Sequence, residues 1–161
     1  MKKYLFLIVT LLLVVSGCTE KEIKLTENAN IAKSHLEQSG YQVISFEGES
    51  SQEFKRKDLF TSPNLEFWSV QYMEPDEYFD KEINTVTFIV ENHPLDNIYE
   101  MGKTKVTAWL IDNEVIGGWS SPISKNHDEV GSPYSLDGKT VEEVKGDHSD
   151  WLEEWKNKYN D

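Results

Sequence analysis

The chain of 161 residues is short of cysteine, of positive charge and of long apolar runs, and each shortage excludes something. A single Cys rules out a disulfide framework and any metal site built on several thiolates. Sixteen Lys and Arg stand against 29 Asp and Glu, a net charge of −13. That is the wrong sign for nucleic acid, whose phosphates are neutralised by a surplus of basic side chains. The longest apolar stretch, residues 4–15, falls well short of the ~20 residues that span a bilayer. Catalytic signatures are missing too. Ser120-Ser121 lacks the Gly-x-Ser-x-Gly turn that exposes a nucleophile, no His-Glu-x-x-His is present, and Gly117-Gly118 is too short for a phosphate loop. No period of ~20–50 residues repeats, which excludes solenoids. No catalytic residue, cofactor or metal is therefore assigned, and the chain reads as non-enzymatic.

Aromatic residues, in contrast, are plentiful. Five Trp, seven Tyr and seven Phe can fill a core, so the chain is not a disordered one. The N-terminus carries the sharpest signal. Lys2 and Lys3 precede the apolar run 4–15, which has the length of a signal-peptide core, and the run leads into Ser16-Gly17-Cys18. The sole cysteine stands directly after the two small residues that a signal peptidase needs. This arrangement resembles the lipobox of bacterial lipoproteins, and the Lys/Glu-rich, Cys-poor body is similar to small lipoproteins of Gram-positive bacteria. The resemblance implies that residues 1–17 are a signal peptide, that Cys18 becomes the lipidated first residue, and that the protein is held on the extracytoplasmic face of the cell membrane. Buried acyl methylenes contribute about 0.8 kcal/mol each, and stable anchoring takes more than one chain, as a diacylglycerol supplies. Removal of Lys2 and Lys3 leaves 14 basic against 29 acidic residues, a charge of −15. Anionic lipid repels such a body, so the anchor and not the surface holds it to the membrane.

Residues 18–27 read as a tether and 28–161 as a single α+β domain. A helix over 28–39 is capped by Asn28 and closed by Gly40. Strands are expected at 41–47, at 65–73, where apolar residues alternate, and at 83–91, with Val86, Phe88 and Val90 inward. Residues 103–112 and 114–121 form a hairpin about Asp112-Asn113, two residue types that tolerate positive φ. In that register Leu110 faces Val115, Ala108 faces Gly117 and Val106 faces Trp119. Thr140-Val141-Glu142-Glu143 has capping-box spacing. Gly146 stops that short helix, and Asp147 or Ser149 caps a last one whose Trp151, Leu152, Trp155 and Tyr159 share a face. The expected fold is α+β: an N-terminal helix, a mainly antiparallel sheet of about five strands, and C-terminal helices packed on one face.

Candidate functional residues follow from this layout. Gly117-Gly118 leaves a dent beside Trp109 and Trp119, either a ligand groove or a seat for a neighbouring helix. Trp109, Trp119, Trp151 and Trp155 are the candidate binding residues. Lys55-Arg56-Lys57 is a basic cluster, read as a solvated loop or as a contact for lipid headgroups or an anionic ligand. His127-Asp128-Glu129 and Asp147-His148-Ser149-Asp150 carry zinc-type ligands and support the alternative, a surface metal-binding protein or a hydrolase using His and carboxylates. A closed zinc site needs four converging ligands, and capping already accounts for carboxylates at a helix start. The acidic residues of 74–82 do not fit the spacing of a calcium loop. The leading expectation is a membrane-anchored, extracytoplasmic lipoprotein that binds a protein, a peptide or an envelope component, with the membrane reached through the lipid on Cys18.

Overall fold

Thr26 opens the first helix. In the computed structural model, which describes residues 24–125 and 131–160, its hydroxyl accepts from the backbone N–H of Ala29 at 3.1 Å, and helix α1 runs Glu27–Gln38. The cap therefore lies two residues before the expected Asn28, and the tether is shorter than 18–27, because Leu25 already packs against the core. Gly40 follows the helix at φ +92°, the left-handed conformation that a helix terminus favours in glycine. The signal peptide, Cys18 and the cluster His127-Asp128-Glu129 lie outside the described residues.

Strand β1 (Gln42–Glu53) comes next, then a 3₁₀ turn (Arg56–Phe60), helix α2 (Asn64–Ser69) and a second 3₁₀ turn (Pro75–Glu77). Strands β2 (Glu82–Glu91), β3 (Thr104–Ile111), β4 (Glu114–Pro122) and the short β5 (Tyr134–Ser135) are followed by α3 (Val141–Lys145) and α4 (His148–Tyr159). The strands make one antiparallel meander in the order β1-β2-β3-β4-β5. The α+β class and the five-stranded sheet hold, but one expected strand does not exist. Residues 64–69 are helical, and a two-residue strand at Tyr134 supplies the fifth member instead. Leu65 and Trp68 are as well placed for a helical face as for a pleat, and a short apolar run does not separate the two by periodicity. Tyr72, in the same expected strand, is 66% exposed.

Both faces of the sheet are covered. Val86, Phe88, Val90, Val106, Ala108 and Leu110 point to one side, where Ala29, Ala32 and Leu36 of α1 seat on them. The other side carries Ile83 and Trp109 beneath Phe54, Leu59, Trp68, Trp151, Trp155 and Tyr159. The C-terminal helices thus pack on one face, as expected, and the N-terminal helix takes the opposite one.

The β3–β4 turn forms as its residues dictate, with φ +48° at Asp112 and +67° at Asn113. Leu110 pairs with Val115 as expected. A bulge then adds Ile116 to β4, so Trp109 pairs with Gly117, Ala108 with Gly118, Thr107 with Trp119 and Val106 with Ser120. An extra residue shifts the register by one and turns every later side chain to the other face. Trp119 therefore does not face Val106; it lies on the tryptophan-rich side.

Candidate functional site

The cleft is built on a rung of the sheet that α4 leaves uncovered. Ser45, Ile89, Lys105 and Ser121 are direct partners across β1 to β4, and Trp119 stands two residues along β4 on the same face. Pro63, Glu66 and Phe67, at the start of α2, form one wall, and Gly131–Pro133 of the loop before β5 contribute to another. The space enclosed is about 820 Å³. Phe67 stacks on Trp119 with 4.8 Å between ring centres and 15° between planes, which fixes the indole at the rim. Ile44, 39% exposed, adds apolar surface from β1. Lys103 reaches Glu91 at 3.8 Å, whereas the exposed Lys105 has no acidic partner among the described residues. Glu66 borders both this cleft and an adjoining cavity of about 480 Å³, lined in part by Tyr99, Glu142, His148 and Leu152. Its Oε2 is buried and has no hydrogen-bond partner among the described residues. The arrangement offers stacking surface, an ammonium without an acidic partner among the described residues, and a desolvated carboxylate oxygen, which is equipment for holding a ligand.

Of the four candidate tryptophans, Trp119 alone lines this cleft. Trp109 is fully buried, edge-on to Trp68 at 5.2 Å and against Phe54 at 5.3 Å. Trp151 and Trp155 pack on each other at 5.0 Å, and Trp155 meets Tyr159 at 4.6 Å. These rings build the core. The indole N–H groups of Trp68, Trp109 and Trp155 find no acceptor among the described residues, so the stabilisation on this face is apolar.

The dent at Gly117-Gly118 is narrowed by a side chain, and a small cavity of about 230 Å³ remains beside it. The amide of Gln71 donates to the Gly118 carbonyl at 2.9 Å and accepts from the Gly118 N–H at 3.0 Å, satisfying β4 much as a strand would. Met73 closes the space beside it: a Cβ on Gly117 would lie 2.8 Å from the Met73 methyl and 2.6 Å from Gln71 Oε1. The basic cluster is largely engaged as well. Lys55 pairs with Glu53 at 3.3 Å. Arg56 sits over the rings of Phe79 and Tyr159 and donates to the Lys158 carbonyl at 3.4 Å.

The other charged clusters serve the fold. Asp147 accepts from the N–H groups of Ser149 and Asp150 as the cap of α4; the Ser149 hydroxyl and those N–H groups hold its carboxyl below the usual range. His148 stacks on Trp151. At the far end of α4, Lys158 lies 2.7 Å from Asp76, and the Tyr159 hydroxyl donates to Asp76 at 2.6 Å. Hydrogen bonds from Lys158 and Tyr159 lower the Asp76 carboxyl, while burial and the Asp76 carboxylate raise the Tyr159 phenol. Lys145 is nearly buried beside Glu74, and its burial lowers the ammonium. Among the described residues no group of three or more His, Cys, Asp or Glu could hold a metal ion, and no helix is long and apolar enough to cross a membrane.

Phe67, Glu66 and Lys105 escaped the sequence reading. Phe67 was placed on a strand, and nothing local to Lys105 or Glu66 sets them apart from the many other charged residues. The chain matches no protein-family model, no curated protein and no solved structure.

Proposed function

We propose that the protein is a non-enzymatic lipoprotein, anchored by lipid on Cys18 to the extracytoplasmic face of the cell membrane, and that it binds a protein, peptide or envelope component. The observation that carries the reading is the position of the only cysteine, directly after Ser16-Gly17 at the end of a twelve-residue apolar run behind two lysines. The open cleft at Trp119 supports the binding role, because it joins stacking surface to charged groups. One experiment addresses both parts. A photoreactive residue replaces Lys105 in the full chain, with Cys18 intact or changed to Ala, and the cells receive labelled palmitate. The intact chain takes up label and yields a crosslinked product in membranes. The Cys18→Ala chain takes up none and accumulates as precursor. Palmitate on the Cys18→Ala chain would refute the lipoprotein reading, and absence of any crosslink from position 105 would refute binding at the cleft.

A further inference from the structure

We infer that the anchored protein stands on the end of the sheet that carries the β3–β4 turn and turns the Trp119 cleft away from the lipid. The inference rests on the lipoprotein reading and adds an orientation to it. Two contacts fix where the chain enters the fold. The Asn113 side chain, in the β3–β4 turn, donates to Glu27 at 3.2 Å, and the Thr26 hydroxyl donates to Glu49 at 2.6 Å. Leu25 is packed against the core just before them. Helix α1 then runs from the turn end of the sheet to the opposite end, where Tyr41 lies against His93 with 4.7 Å between ring centres.

Cys18 precedes Lys24, the first described residue, by six positions, at most about 20 Å of extended chain. A lipid on Cys18 therefore holds the turn end close to the headgroups. The cleft rung, Lys105 with Ser121, lies six residues along β3 from the pair Ile111 with Glu114. At the rise of a strand that separates them by about 20 Å. Glu27, Asp112 and Glu114 at the turn end are repelled by an anionic surface, so the domain is kept at the length of its tether instead of lying flat on the lipid. The surface offered to a partner is then the outward one, and the headgroups of the anchoring bilayer are not what the cleft meets.

The test uses the lone cysteine. Once Cys18 is acylated, a cysteine introduced elsewhere is the chain's one free thiol. Full-length Glu114→Cys and Lys105→Cys proteins, extracted from membranes, are labelled with a donor fluorophore and reconstituted in phosphatidylcholine vesicles bearing rhodamine headgroups. Both positions are exposed. Energy transfer to the bilayer should be stronger from position 114 than from 105, given the offset along the strand. Equal transfer, or stronger transfer from 105, in protein that floats with the vesicles overturns the orientation alone. Thiol titration identifies the other failure. A second reactive thiol, together with loss of flotation, means that Cys18 carries no lipid and overturns the lipoprotein reading and the orientation with it.

Discussion

Gly118 sits where no other residue fits. Its φ is +144°, and a Cβ built on it would lie 2.1 Å from the Thr107 carbonyl oxygen across the sheet. Left-handed strain and overpacking against backbone add, so Gly118→Ala should cost about 2–5 kcal/mol. Gly131, with open space around the same position, should tolerate Ala within about 0.5 kcal/mol. Urea midpoints of the two variants check this, and equal midpoints would mean that the bulged register is wrong. His93 is held as tightly, through its protonation state. Its Nδ1 accepts from the Leu95 N–H at 3.2 Å and its Nε2 lies 3.2 Å from the Leu136 carbonyl, so the neutral ring carries its proton on Nε2. A proton on Nδ1 would set two N–H groups against each other. Burial pushes the imidazole below its ordinary 6.5, opposed by the Leu136 carbonyl and by Asp96 and Asp137. The unfolded chain takes up a proton near pH 6.5 that the folded chain resists, so stability is full above about 6.5 and falls as the pH drops toward the depressed folded value. Urea midpoints measured down to about pH 5.5 should decline in the wild type more steeply than in His93→Gln. Parallel declines would show that His93 does not contribute.

Helix α4 separates two roles that its sequence leaves open. A stripe with two tryptophans is either a docking face or a layer of core. Trp151, Trp155 and Tyr159 are 8%, 3% and 1% exposed, which makes it core. Each such side chain contributes about 1.5–3 kcal/mol on burial, and a whole domain is stable by only about 5–15 kcal/mol. A chain ending at Gly146 should therefore lose its near-ultraviolet circular dichroism and its cooperative urea transition. If that chain keeps both, the stripe is dispensable to the fold. The starts of α3 and α4 were legible because they are local. The Thr140 hydroxyl accepts from the Glu143 N–H at 3.3 Å, Glu143 reaches back to the Thr140 N–H at 2.9 Å, and Asp147 caps the next turn. The hairpin was legible for the same reason, up to the bulge. Ile116 is the extra residue in β4, and no local rule makes it one. It is accommodated by Gln71, a residue 47 positions away from Gly118. Helix α2 was misread because a short apolar run suits a strand or a helix, and what lies above it decides.

Across the whole molecule, whatever depends on neighbours within a turn of chain, or on composition alone, is legible in the residues themselves. That covers the net negative charge, the single cysteine behind a short apolar run, the alternation of β2 and β3, the tight turn at Asp112-Asn113 and the capped ends of α3 and α4. The α+β class follows from their order. Packing between distant segments settles which tryptophans are core and which one lines a cleft. Trp109 and Trp119 belong to adjacent strands and share a face, yet Trp109 lies under Trp68 and Phe54 whereas Trp119 reaches the edge of the covered area. It also decided that α1 takes one face and the remaining helices the other, and that the chain enters beside the β3–β4 turn. The reason is physical. Hydrogen-bonded caps and turns are satisfied by residues a few positions apart, whereas burial depends on what stands opposite a side chain, and in a meander covered on both faces that neighbour comes from dozens of residues away.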